Sequence, residues 1–160
     1  SGFTQAQEEK TDNIKWIEIE DAIRLSKTHP KKIMIYVYSD NCGWCKRMDR
    51  TTFRDPEVVA VVNKYYHAVK LNAERKDTVI LDDRTFVNEK PKGKRHPHQL
   101  AISLMQGKMT YPTVVYLDEN GNMLQPIPGF QSTESILPIL NYFGSDAYKT
   151  TDWEAYQENF

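Results

Sequence analysis

The only two cysteines in this 160-residue chain stand three positions apart, in Cys42-Gly43-Trp44-Cys45. Thiols at this spacing can close a reversible disulfide, and the thiolate is the reactive form. An apolar strand followed by a turn leads into the motif, so Cys42 stands at the start of a helix. The first-turn amides of a helix lack internal partners and carry partial positive charge. They stabilise a thiolate, so the Cys42 pKa is expected below the free value of about 8.5. Cys45 lies one turn later, with its sulfur turned inward, where it can resolve a mixed disulfide formed at Cys42. The competing reading is a pair of inert, buried thiols. Gly43 speaks against it, because it lets a substrate backbone approach closely. A four-ligand zinc site needs a second Cys or His pair. His96 and His98, on a charged loop, are a weak signal for one. A redox dithiol with no metal or organic cofactor is the expectation.

Trp44 cannot supply positive charge to the thiolate. It is either a hydrophobic contact for substrate or a packing residue. Lys46 and Arg47 add positive charge and Asp40 opposes it, so a moderate depression of the thiol pKa is expected. Tyr111-Pro112-Thr113 precedes a later strand. Only about one in twenty X-Pro bonds in folded proteins is cis, so composition alone favours trans here.

These residues need a scaffold. Residues 14–17 suit a short first strand, and residues 18–28 an amphipathic helix ended by His29-Pro30. The run 33–38 (Ile-Met-Ile-Tyr-Val-Tyr) reads as a central strand covered on both faces. Asp55-Pro56 is an N-cap followed by proline at the first helical position, and Val58, Val59, Val61 and Val62 supply that helix's apolar face. Residues 67–72 form the next strand. The order β-α-β-α-β implies parallel strands with right-handed crossovers. A hairpin around Asp82-Asp83, a basic loop at 90–98 and a short helix at 99–106 closed by Gly107 follow. Residues 113–117 and 123–127 form an antiparallel pair around Asn120-Gly121. A helix at 132–143 contains Pro138, so it either starts near Ser135 or kinks. Residues 153–160 suit a short terminal helix.

The chain is 39% hydrophobic and 27% charged, which suits a folded domain. Its 21 basic and 22 acidic residues give a net charge of −1, which argues against nucleic-acid binding driven by bulk charge. No apolar run has the length of a membrane span. Ser1-Gly2 resembles a tag scar, and residues 1–13 read as a disordered or tag-derived leader, in a chain that begins either just after a removed signal peptide or at an arbitrary truncation of a cytosolic protein. Residues 14–148 read as the domain, and 149–160 as a C-terminal helical extension.

The residues 38–46 after an apolar strand, the strand segment Val69-Lys70-Leu71-Asn72, and Tyr111-Pro112-Thr113 with its following hairpin resemble the thioredoxin-like superfamily. The resemblance spans residues 16–144 and is nearest to exported bacterial thioredoxin-fold proteins of the DsbD C-terminal-domain and DsbH-reductase type. It implies an α/β thioredoxin fold, a central mixed sheet flanked by helices, with an insertion at about 74–110 before a cis-proline strand. It implies Cys42 as nucleophile, Cys45 as resolving cysteine, Pro112 as the cis-proline facing the disulfide, and the Tyr111 backbone as a pairing edge for an extended substrate. Gly43 and Trp44 join that substrate surface.

Two departures from the family stand out. The buried aspartate six positions before the first cysteine is Tyr36 here, while its lysine partner matches Lys70. Tyr36, Lys70, Glu74 or a water are candidates for proton-transfer support at Cys45. The 74–110 segment either shapes substrate access or partner choice, or is a surface insertion; its cluster Lys90, Lys92, Lys94 and Arg95 reads as a solvated loop. The implied function is thiol–disulfide exchange on protein or peptide disulfides, in the reductive direction, recharged by a protein electron donor. A peptide-binding or chaperone-like module with little turnover is the alternative. A monomer in the periplasm or another exported compartment is expected, with the cytoplasm as alternative.

Overall fold

In the computed structural model, which describes residues 13–160, five strands form one mixed sheet with helices on both faces. The expected leader lies outside the described residues, apart from Asn13. Strand β1 (Trp16–Ile17) leads into helix α1 (Ile19–Thr28), strand β2 (Lys32–Tyr38), helix α2 (Gly43–Arg50), helix α3 (Pro56–Tyr65) and strand β3 (Tyr66–Asn72). The hairpin β4 (Val79–Leu81) and β5 (Arg84–Phe86) and helix α4 (Gln99–Leu104) make up the insertion. Strands β6 (Thr113–Leu117) and β7 (Met123–Pro128), helix α5 (Thr133–Gly144) and helix α6 (Trp153–Glu158) complete the chain.

The sheet order is β1-β3-β2-β6-β7. β1 and β2 run parallel to β3, while β6 is antiparallel to β2 and to β7. The central strand β2 is buried from Lys32 to Val37, which explains its unbroken apolar run. Its side chains alternate between two cores. Met34 and Tyr36 face α2, α3 and α5 with Ala68, Val114 and Tyr116. Ile33, Ile35 and Val37 face α1 and α4 with Val69, Leu71 and Val115. Pairing Val37 with Thr113 brings the end of β2 beside the start of β6. The Cys42 turn and the Tyr111-Pro112 dipeptide therefore lie at the same end of the sheet.

Local signals account for the helix boundaries. The Asp55 carboxylate accepts from the amides of Glu57 and Val58 at 2.9 and 3.3 Å, with Pro56 at the first position of α3. Gly107 closes α4 at φ +79, and its amide donates to the Ile102 carbonyl. Helix α5 does not start late at Ser135. Ser132 Oγ accepts from the Ser135 amide at 3.1 Å, so α5 starts at Thr133 and Pro138 lies inside it. Beyond α5, a left-handed Asp146 and a 3-10 turn at Ala147–Lys149 precede α6. Trp153 and Tyr156 set α6 against Tyr142, with ring centroids 5.2 and 5.1 Å away.

Candidate active site around the Cys42–Cys45 disulfide

Cys42 is the N-cap of α2, and the two cysteines are joined as a disulfide. The Cys45 amide points at Cys42 Sγ at 3.0 Å, so a helix-end donor already faces the first sulfur. No acidic residue occupies the first turn of α2. Burial separates the two thiols: Cys42 is half-buried, whereas Cys45 is 1% exposed. A partner can reach Cys42 and not Cys45. A Cβ built at Gly43 would meet nothing within 4 Å, so internal packing does not require glycine there. The space in front of Gly43 is open to an incoming chain.

Trp44 is 56% exposed, which removes it from the core. Its ring stands 5.3 Å from Phe130, and the Arg47 guanidinium lies 5.5 Å from Trp44 and 5.8 Å from Phe130. Phe130 escaped the sequence reading because nothing in its neighbourhood marks it; only the fold places it beside Trp44. The Tyr111–Pro112 peptide bond is cis. Pro112 is buried and Tyr111 half-buried, and the Pro112 carbonyl accepts from the Gly129 amide at 2.7 Å.

Behind Cys45 the candidates for proton transfer separate. Tyr36 is fully buried between Trp16 and Phe53, at ring distances of 5.7 and 4.8 Å. Its hydroxyl donates to the Cys45 carbonyl oxygen at 2.9 Å. Burial, then the negative charge of nearby Asp49, pushes the phenol pKa well above its ordinary value. Tyr36 therefore stays protonated, a hydrogen-bond donor and not a base. Lys70 lies over the Tyr38 ring at 5.1 Å and the Tyr36 ring at 5.8 Å. Its ammonium is 3.5 Å from the Asp49 carboxylate. Glu74 is half-buried, and its charge is felt at Tyr111, where, after burial, it helps raise the phenol pKa.

Asp49 is the residue that sequence reading missed. It stands four positions after Cys45, so α2 sets the two on neighbouring turns of one face. Half-buried between Lys70 and Tyr36, it brings a carboxylate to the region where the buried strand aspartate is missing. The i,i+4 spacing from Cys45 was the available signal. Asp40 is exposed and accepts from the Asn72 amide at 3.4 Å. Among the described residues, no three His, Cys, Asp or Glu side chains cluster as metal ligands.

The insertion also reaches the site. In the amide orientation that satisfies both groups, Asn41 Oδ1 accepts from Arg95 Nε and Nη2 at 3.0 and 3.1 Å. Arg95 belongs to the cluster that the sequence suggested was only a solvated loop.

Comparison with known proteins agrees with this geometry. A family model described as a thioredoxin-like domain matches residues 19–144. Over 123 residues the chain is 27% identical to the thiol:disulfide interchange protein DsbD of Citrobacter koseri, covering 76% of this chain and 18% of that protein. The chain thus spans less than a fifth of the length of that relative. Among solved structures, DsbH oxidoreductase superposes with a TM-score of 0.59 at 20% identity, over 94% of this chain and 96% of that one. A thioredoxin-fold protein from Helicobacter pylori gives a TM-score of 0.62 at 16% identity, over 82% and 80% of the two chains. A dithiol motif capping α2, a mixed five-stranded sheet and a family match over most of its length together place this chain in the thioredoxin-like domain family.

Proposed function

We propose that the chain is a thiol–disulfide oxidoreductase that reduces protein disulfides. The observation that carries the reading is the asymmetry of the pair, a reachable Cys42 on a helix N-terminus and an enclosed Cys45 behind it. In the reduced chain, the Cys42 thiolate attacks a substrate disulfide. One substrate sulfur joins Cys42 in a mixed disulfide, and the other leaves as a thiolate that takes up a proton. Cys45 then loses its proton and attacks Cys42 Sγ. The second substrate sulfur leaves and is protonated. The substrate gains two electrons and two protons, and the chain ends as the Cys42–Cys45 disulfide. A second dithiol, on a protein electron donor, returns it to the reduced form.

Asp49 takes the Cys45 proton, directly or through water, with Lys70 paired to its carboxylate. Tyr36 fixes the Cys45 backbone and does not accept the proton. Trp44, Phe130 and the open face of Gly43 form the apolar contact for the substrate, with the Tyr111-Pro112 segment beside them. The side chains between the cysteines carry no charge, which supports the reductive direction over a strongly oxidising one. The reading includes export from the cytoplasm, and cell fractionation tests that part.

Equilibration with glutathione buffers tests the whole. A potential of about −230 to −270 mV belongs to a reductant, and one near about −120 mV to an oxidant. Failure to form an intramolecular disulfide at any poise would remove the oxidoreductase reading.

A further inference from the structure

The basic loop of the insertion is built against the active site. Asn88, 5% exposed, holds the loop from inside: its Nδ2 donates to the carbonyls of Arg75 and His96 at 2.9 and 2.8 Å, and its Oδ1 accepts from the Lys90 amide at 2.9 Å. Lys76 Nζ donates to the Gly93 carbonyl at 2.7 Å, and the His98 amide to the Ala73 carbonyl at 2.7 Å. The loop is therefore tied to the segment leaving β3, at the dithiol end of the sheet. Arg95 then reaches Asn41, the residue immediately before Cys42. Lys92 and Lys94 stand exposed beside Arg95. On α2, Lys46 and Arg47 are exposed as well.

A chain of net charge −1 thus sets Arg95 of the insertion on the residue before Cys42, carries Lys92 and Lys94 exposed on the same loop, and carries Lys46 and Arg47 exposed on the helix that Cys42 caps. Three acidic residues lie near the dithiol: Asp49, the exposed Asp40, and Glu74 beside Tyr111, and of these Asp49 is paired with a cation. Asp49 pairs with Lys70, and Asp40 accepts from Asn72. A guanidinium held at its base by an amide still presents N–H groups to an incoming carboxylate. Rim charges of one sign steer an oppositely charged partner and disfavour a like-charged one.

We propose that Arg95, with Lys92 and Lys94 beside it and Lys46 and Arg47 on α2, selects partner polypeptides whose cysteines are flanked by Asp or Glu. The inference rests on the oxidoreductase reading and names the partner class for that site. The insertion is then the element that confers the selection.

The test uses the full chain in its reduced form and single-turnover rates. Two peptides carry the same disulfide loop, one flanked by Asp and Glu, the other by Lys and Arg; a small neutral aromatic disulfide is the reference. The acidic peptide should react about tenfold faster at low salt, and the ratio should shrink at about 150 mM salt and above. R95E should abolish or reverse the ratio. The pair K92E/K94E should lower it while leaving the Asn41 contact in place. Equal rates for the two peptides, or a ratio unmoved in both variants, would overturn the inference while the oxidoreductase reading stands. If the small disulfide is not reduced either, the oxidoreductase reading falls and takes this inference with it.

Discussion

The Tyr36 hydroxyl donates a 2.9 Å hydrogen bond to the backbone carbonyl of Cys45, the enclosed member of the disulfide. A phenol so buried cannot ionise in the physiological range, so it supplies a donor and aromatic bulk where the family pattern has a carboxylate. Tyr36→Phe keeps the packing against Trp16 and Phe53 and removes one hydrogen bond. The expected cost is about 1 kcal/mol in urea unfolding of the oxidised protein. The rate of disulfide exchange should stay within about threefold, since a group that never accepts the proton contributes little to its transfer. A loss of several hundredfold would instead make the phenol part of the proton path.

In the proposed scheme the carboxylate that does the work of the missing aspartate is Asp49, placed by the helix that carries the cysteines and held by Lys70 at 3.5 Å. Asp49→Asn should slow release of the mixed disulfide by about tenfold or more, while leaving its formation by Cys42 nearly unchanged. Acid quenching followed by mass spectrometry should then show the substrate–Cys42 adduct accumulating. The resolution rate of the variant should also climb with pH, as Cys45 loses its proton to solvent. A purely structural role for Asp49 would slow both steps together and leave the pH profile unchanged.

These two residues show where the sequence is readable and where it is not. The sheet could be read because its signals are local: an unbroken apolar run at residues 33–38, Asp55-Pro56 opening α3, Asn120-Gly121 between β6 and β7. The dithiol could be read because cysteine chemistry belongs to the motif itself. The i,i+4 spacing of Asp49 from Cys45 does not single it out, because one acid within the basic run 46–50 looks like a solvated helix face until β3 brings Lys70 against it. Arg95 was hidden for a similar reason: its meaning lies in a contact with Asn41 that the insertion creates only when folded. Of the two readings that Pro138 offered, the structure removes the late start. The proline's missing N–H argued for a late start or a kink, yet the Ser132 cap starts α5 before it.

Lys32 is buried at the start of β2, and its ammonium contacts Glu119 at 2.5 Å and Asp146 at 2.6 Å. The pair ties the central strand to the β6–β7 turn and to the segment leading into α6. The Lys32 ammonium, by hydrogen bond first, holds the Asp146 carboxyl below its ordinary range. A depressed carboxylate contributes stability above its unfolded pKa and loses it as pH falls through the folded value. Stability should therefore drop as pH falls below about 4. Removing both carboxylates, with Glu119→Gln and Asp146→Asn, leaves a buried cation unpaired. The expected cost at neutral pH is about 3 kcal/mol, with a weaker acid dependence than the parent chain. An unchanged urea midpoint in the double variant would show that the triad contributes nothing net.

Tyr116, on β6, is the counterpart of Tyr36: equally buried, but its hydroxyl has no hydrogen-bond partner among the described residues. A hydroxyl enclosed without a partner costs about 1–3 kcal/mol relative to water. Tyr116→Phe deletes that atom and keeps the ring against Tyr66 and Phe143, at 5.9 and 5.1 Å. The variant should be more stable by about 1 kcal/mol, and a clear loss would mean that the hydroxyl is satisfied in solution. Alkaline titration gives a second readout. Burial raises the phenol pKa of Tyr36, Tyr66 and Tyr116, so the folded chain keeps protons that the unfolded chain releases above about pH 10. Stability is complete below that value and falls as pH rises through it. In the parent chain these phenols should ionise, by ultraviolet absorbance, only in step with unfolding. Tyr116→Phe removes one of them from the coupled step and should move alkaline unfolding to higher pH.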